Sequence, residues 1–286
     1  INSLKSGTFT VNKDFVPNDG ASVPVSVSCT SGTPTPASGS ASEATPFVTT
    51  VTGFLTGATC TATESVPAGY TAIQGPCAGV VLTNGGNVSC TITNTLNSAT
   101  LTVNKDFLPN NAASVSVSVT CTSGTPAPAS GSASEATPFF TTITGFSAGA
   151  TCTATETVPG GYAANQVPCA SVSISVGGAH SCTITNMLNT DTFTVNKDFT
   201  DNNGASVSVS VACASGTPSP ASGSASEATP FVATISGYTG DPLCTATESP
   251  IPTGYSSSGT CNAALLAVGY CTITNTLNTA TLTVNK

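Results

Sequence analysis

The chain has 286 residues, of which only 6% are charged, and a formal net charge of −8. Five lysines, no arginine and no tryptophan argue against a nucleic-acid interface, which needs clustered basic side chains. No apolar run approaches the roughly 20 residues that span a bilayer, and no signal-peptide pattern opens the chain.

Taken in chain order, the first stretch predicts strands near 8–15, 21–30, 46–53, 58–65, 71–75, 78–83 and 87–96. Thr and Val dominate, apolar and polar residues alternate, and Gly, Pro and Asn punctuate short runs. Residues 31–46, "SGTPTPASGSASEATP", read as a Ser/Pro/Gly loop. Pro24 falls on the outward face of its strand, which suits an edge. Helix signals are nearly absent, so the fold class is all-β, a sandwich.

The same order then repeats. "FTVNKDF" at Phe9 returns as "LTVNKDF" at Leu101, "FTVNKDF" at Phe193 and "LTVNK" at Leu282, at spacings of 92, 92 and 89 residues. Three tandem repeats of about 90 residues follow: 8–99, 100–191 and 192–280. Residues 1–7 read as the end of a preceding repeat and 281–286 as the first strand of a following one, with Asn2 in the place of Asn94 and Lys286 in the place of Lys105. The segment therefore reads as a window on a longer array.

Each repeat holds four cysteines: Cys29, Cys60, Cys77 and Cys90; Cys121, Cys152, Cys169 and Cys182; Cys213, Cys244, Cys261 and Cys271. An even, regularly spaced set in a low-charge β chain points to disulfides and an oxidising compartment. Zinc sites favour close CxxC pairs, and the chain has none, so no metal is expected. Cys77–Cys90 and Cys169–Cys182 are 13 apart, whereas Cys261–Cys271 are 10 apart, so the whole deletion in the third repeat lies between these two cysteines. "TNGG" and "SVGG" in this interval read as hairpin turns, and a hairpin can shorten at its tip while its stems stay opposed. That pairs Cys77–Cys90, Cys169–Cys182 and Cys261–Cys271, and leaves Cys29–Cys60, Cys121–Cys152 and Cys213–Cys244.

Alternation places Phe9, Val11, Lys13 and Phe15 on one face. The apolar face, the one to be buried, carries the lysine. "TCTATE" likewise turns Glu64 inward with Cys60 and Ala62, and "SCTITNTL" turns Asn94 inward with Cys90 and Ile92. Lys105, Glu156 and Asn186 repeat the set, as do Lys197, Glu248 and Asn275. An unpaired buried ammonium is too costly to persist. The pattern alone admits a Lys–Glu ion pair, a lysine that snorkels outward with Asn94 satisfying backbone, or a chemically consumed amine.

"GFLTGATCTATESVPAGY" resembles the gL..G.Y.l.E..aP.GY segment of Cna-B and SpaA-type domains of bacterial adhesin stalks and pilins. "TVNKDF" resembles their first strand and "TITNTL" their last, in a cysteine-bearing variant. The resemblance implies Ig-like, prealbumin-like sandwiches. It also implies intramolecular isopeptide bonds Lys13–Asn94, Lys105–Asn186 and Lys197–Asn275, formed with the help of Glu64, Glu156 and Glu248. The function implied is a structural segment of an extracellular surface stalk or filament, with no enzyme turnover and no cofactor. Its partners would be further repeats of the chain or neighbouring copies. Independently of the resemblance, the mucin-like Ser/Thr/Pro composition of loops such as 31–46, and Asn87 in "NVS", point to glycans. The rival reading is a glycan- or ice-binding array. With five Tyr and no Trp the chain offers few sugar-stacking groups, and its TxT pairs are scattered over different strands. His180 reads as a surface residue, and the "PND", "PNN" and "DNN" clusters as ordinary turns rather than calcium loops.

Overall fold

The computed structural model describes residues 4–284. In the first repeat the strands are β1 (Ser6–Val16), β2 (Val23–Cys29), β3 (Thr33–Thr35), β4 (Ser38–Ala41), β5 (Phe47–Thr52), β6 (Thr59–Glu64), β7 (Tyr70–Ile73), β8 (Val80–Val81) and β9 (Asn87–Leu96). They form a five-stranded sheet in the order β3-β5-β1-β9-β7, packed on a four-stranded sheet in the order β4-β2-β6-β8. The same two orders recur in the second and third repeats. The chain is all-β, three sandwiches in tandem.

Binary patterning explains the layering. In β1, Phe9, Val11, Lys13 and Phe15 are buried while Thr10, Asn12 and Asp14 are half-exposed. In β2, Val23, Val25 and Val27 face the core. Ala41, Phe47, Val51, Cys60, Ala62 and Ile92 complete the first core from the remaining strands. Each fully buried Val, Ile or Phe contributes about 1.5–3 kcal/mol. One buried group resists this logic: Thr49, 1% exposed, faces Phe9 across the β1–β5 ladder with an unpartnered hydroxyl. Thr141 repeats it, and the third repeat has Ala233 at that place.

β1 occupies the centre of its sheet. It pairs antiparallel with β5 and parallel with β9, in a register running from Thr8↔Asn87 to Val16↔Thr95. The first and last strands of a repeat are thus direct neighbours that run the same way.

Three sequence expectations need correction. Residues 31–46 are not a plain loop: they hold β3 and β4, which carry the chain from one sheet to the other as β3 pairs with β5 and β4 with β2. Pro24 does not sit on an edge, because β2 lies between β4 and β6. It is tolerated as the second residue of its strand, where the β2–β6 register begins only at Val25↔Glu64 and the missing N–H costs no interior ladder bond. The interval between Cys77 and Cys90 is no hairpin. Cys77 closes a 3-10 turn (Gly75–Cys77), β8 joins β6 in the smaller sheet, and β9 belongs to the larger one. Residues 279–284 carry no ladder pairing, and Leu282 and Val284 are exposed; a first strand without the rest of its sandwich has no ladder partner for its backbone groups. Asn2 and Lys286 lie outside the described residues.

Candidate functional site: a buried Lys–Glu–Asn set between first and last strands

Six disulfides frame the site: Cys29–Cys60, Cys77–Cys90, Cys121–Cys152, Cys169–Cys182, Cys213–Cys244 and Cys261–Cys271. Cys29 and Cys60 lie directly opposite each other on β2 and β6. Cys77–Cys90 ties the 3-10 turn to β9. In the third repeat the interval shortens to 10 residues between Cys261 and Cys271, and the bridge is kept although no hairpin joins its ends. Loop closure on this scale is worth about 3 kcal/mol for the shorter rings and somewhat more for the longer ones.

β1 delivers Lys13 to the core at the level of Ile92 on β9, and Asn94 stands two residues further along, opposite Phe15. β6 of the facing sheet delivers Glu64. The Lys13 Nζ lies 3.6 Å from Glu64 Oε2, and both side chains are wholly buried. The ammonium also donates to the carbonyls of Ile92 and Asp14, each at 3.0 Å, and sits 4.4 Å from the centre of the Phe15 ring. Lys105 repeats this arrangement, at 3.5 Å from Glu156 and 2.9 Å from the carbonyls of Ile184 and Asp106. Asn94, Asn186 and Asn275 are completely buried.

Burial pulls all three lysine amines, Lys13, Lys105 and Lys197, below their ordinary value. The neighbouring carboxylates of Glu64, Glu156 and Glu248 oppose this without reversing it. A lysine so placed is a better nucleophile, because desolvation favours the neutral amine. Around it, both oxygens of Glu64 and both amide atoms of Asn94 are buried without a hydrogen-bond partner, and Glu156 and Asn186 are in the same condition. Native interiors leave few such groups, and each asks for an explanation, catalytic use among them.

The third repeat is arranged differently. Asn275 Nδ2 donates to Glu248 Oε1 at 2.7 Å, and Ser257 Oγ donates to Glu248 Oε2 at 3.3 Å. A cleft of about 220 Å³ opens beside Glu248, lined also by Thr247, Ser257, Gly259 and Asn262. In the first two repeats the side chains of Gln74 and Gln166 accept from the Glu64 and Glu156 N–H groups at 3.1 Å. In the third, Gly259 stands opposite Ile273, and a Cβ there would fall 2.0 Å from the Thr272 carbonyl.

Sequence reasoning passed over a second conserved device within the chain. "ASGSASEATPF" occurs letter for letter at 37, 129 and 221, and the structure gives the repetition a use. Glu43, Glu135 and Glu227 accept the N–H of Phe15, Phe107 and Phe199 at 2.9, 2.9 and 2.8 Å, capping the strand just past the buried lysine. Gly39 passes so close to Phe47 that a Cβ would sit 2.5 Å from the ring. The Asn/Asp clusters hold tyrosines: Tyr70 donates to Asp19 at 2.6 Å, and Asn111 and Asn203 donate to Tyr162 and Tyr255 at 2.8 and 2.9 Å. Each tyrosine packs edge-on against the phenylalanine that follows the lysine. His180 is half-buried beside its turn and accepts from the Ser175 N–H at 3.1 Å. Among the described residues no cluster of three or more His, Cys, Asp or Glu could hold a metal ion. Nor, among the described residues, is any helix long and apolar enough to cross a membrane.

No family model and no curated protein matches this chain. Among solved structures it is similar to the Bacillus anthracis TIE protein, at 13% identity and a TM-score of 0.48, over 96% of this chain and 51% of that one. It is also similar to two B repeat units of the collagen-binding protein Cna of Staphylococcus aureus, at 18% identity and a TM-score of 0.25, over 96% and 76% of the respective chains. A third similar structure is the shaft pilin SpaA of Lactobacillus rhamnosus GG, at 11% identity and a TM-score of 0.27, over 65% and 99%. The chain spans about half the length of the first of these.

Proposed function

We propose that this chain is a load-bearing segment of an extracellular bacterial surface stalk or filament. In this reading each repeat is closed by a self-formed amide between Lys13 and Asn94, Lys105 and Asn186, or Lys197 and Asn275. The observation that carries the reading is the meeting of an amine, a carboxyl and a carboxamide in the core between two parallel neighbours, the first and last strands. The motif resemblance to stalk and pilin domains points the same way.

In the reaction, the neutral Lys13 Nζ attacks the Asn94 Cγ. Glu64, having taken the proton that the Lys13 ammonium gives up, donates to the developing oxyanion and then relays a proton from the attacking nitrogen to the leaving amide nitrogen. One N–C bond forms, one breaks, and one ammonia departs per repeat. The product replaces a buried amine by a neutral amide. Each site reacts once, without turnover.

The role follows from topology. Tension enters a repeat through β1 and leaves through β9. Because these strands are parallel and adjacent, the pull shears one ladder, and an amide across it passes the load directly from Lys13 to Asn94. The disulfides suit an oxidising exterior. Intact mass of the reduced, denatured chain is the test: it should fall short of the sequence mass by one ammonia per bond. Glu64→Ala should restore one ammonia. The full sequence mass in natively folded protein would sink the proposal.

A further inference from the structure

Consecutive repeats are joined by a single residue. β9 ends at Leu96 and the next strand, β10 (Ser98–Leu108), begins at once, leaving Asn97 between them. All four polar groups of Asn97 are engaged at this joint. Its N–H donates to the Gly69 carbonyl of its own repeat at 2.9 Å, and its carbonyl accepts from Gly145 of the following repeat at 2.9 Å. Its Nδ2 donates to the Phe146 carbonyl of the following repeat at 2.7 Å, and its Oδ1 accepts from Thr71 at 2.7 Å. The residue is 5% exposed.

Asn189 does the same at the second joint. Its N–H donates to Gly161 at 2.8 Å, its carbonyl accepts from Gly237 at 2.8 Å, and its Nδ2 donates to the Tyr238 carbonyl at 2.9 Å. Two glycines meet face to face at each joint. A Cβ on Gly69 would lie 2.6 Å from the Gly145 carbonyl oxygen, and one on Gly161 would lie 2.7 Å from that of Gly237. Gly254 occupies the same place in the third repeat with the same positive φ, and there nothing lies within 4 Å. Lys5 keeps the backbone half of the pattern, accepting from Gly53 at 2.8 Å, but its ammonium donates to Thr56 and so lacks the amide grip.

We infer that Asn97 and Asn189 are inter-repeat clamps. Each grips the Thr-Gly-Phe or Ser-Gly-Tyr turn of the following repeat and holds consecutive sandwiches in one fixed orientation, so that the repeats move as a single rod. Two repeats tethered by one flexible residue would reorient freely; here the same residue bonds to both bodies through backbone and side chain. The pole that offers Gly69, Leu96 and Asn97 is therefore an interaction surface, and its partner is the entry turn of another copy of this repeat. The clamp uses no residue of the Lys–Glu–Asn set and stands whether or not the amides form. The two joints also differ in strength. Ala163 replaces Thr71 at the second, so the Asn189 Oδ1 loses the hydroxyl that orients its counterpart, and Asn189 is only half-buried.

The test is the rotational tumbling of each repeat in the full chain, by nitrogen-15 relaxation, with small-angle scattering for overall length. The intact chain should show one common tumbling time for all three repeats. Asn97→Ala should release the first repeat from the other two, with loss of the common time and a shorter maximum dimension. Asn97→Asp should do the same, because it keeps the acceptor for Thr71 but removes the donor to Phe146. Gly69→Ala should also uncouple, whereas Gly254→Ala, which carries the same backbone strain without a facing glycine, should not. Disulfide maps and amide spectra of the individual repeats should be unchanged in the Asn97 variants. Independent tumbling in the intact chain overturns the inference, and so does common tumbling retained in Asn97→Asp. Should Asn97→Ala disturb folding, Ala163→Thr decides: it should stiffen the second joint, and no change there overturns the inference.

Discussion

Phe15 and Asn94 stand opposite each other across the parallel ladder of first and last strands, so the carboxamide lies one alternation beyond Lys13, on the same buried face. The Phe15 ring lies under the lysine and Tyr70 stands edge-on to that ring. One side of the buried amine is therefore walled by aromatic carbon.

The three sites should not react alike. In the third repeat the Asn275 amide donates to Glu248, the opposite polarity to an acid that donates to the amide oxygen, and a cleft opens beside the carboxyl. If the amides form as proposed, Lys197–Asn275 is expected to form about a hundredfold or more slowly than the other two, the scale on which acid–base assistance acts. A time course of cross-linked peptides after refolding measures it. Ser257→Ala should speed the third site. Equal rates at all sites would remove the distinction.

The share of pH-dependent stability that belongs to Lys13 should appear only where the proposed amide cannot form. In Asn94→Ala the lysine remains free, and burial holds it below its ordinary value. Between the folded and ordinary values the unfolded chain binds a proton that the folded chain has released. Stability from this residue therefore rises with pH through that window and is lowest beneath it. Comparing unfolding of Asn94→Ala with that of the Asn94→Ala, Lys13→Met double variant isolates the effect. A parallel pH response in both would count against a buried free amine.

Glu43→Ala should destabilise the first repeat by about 1.5–3 kcal/mol, the range for a hydrogen bond to a charged group, since it removes the cap on Phe15. It should leave the Cys29–Cys60 and Cys77–Cys90 pairing intact. Denaturant unfolding together with non-reducing peptide mapping checks both parts.

Thr49→Val should stabilise. The hydroxyl is buried against Phe9 without a partner, and an unsatisfied polar group of this kind costs about 1–3 kcal/mol. Thr141→Val should act alike, while the third repeat already carries Ala233. Unfolding midpoints of the single variants decide, and a loss of stability would mean that the hydroxyl has a use in the core.

Strand identity and core face were legible because alternation in "FTVNKDF", "VPVSVSC" and "TCTATE" is strict and each side chain belongs to one face only. The inward Lys13, Glu64 and Asn94 came from the same rule. What sequence could not give was sheet membership. β3, β4 and β8 are two to four residues long and switch between sheets, and so short a run carries no periodicity. Pro24 was misplaced for that reason, since an edge and the start of an interior strand look alike locally. Glu43 was hidden differently: its partner is a backbone N–H 28 residues away, and no side-chain pattern advertises a backbone acceptor. Asn97 was overlooked because its partners lie on two different repeats.

The passage of the chain from one central strand to the next through a single residue has a consequence for extensibility. If Lys13 is bonded to Asn94 as proposed, the 80 residues from 14 to 93 are slack that a pull cannot reach, roughly 270 Å of chain at about 3.4 Å each. Only residues 95–104 separate Asn94 from Lys105, and all but Asn97 already lie in extended strands. A stalk built in the proposed way would have almost no reserve length. It would not give under a sudden jerk by paying out chain; it would transmit the jerk, undiminished, to whatever holds its two ends.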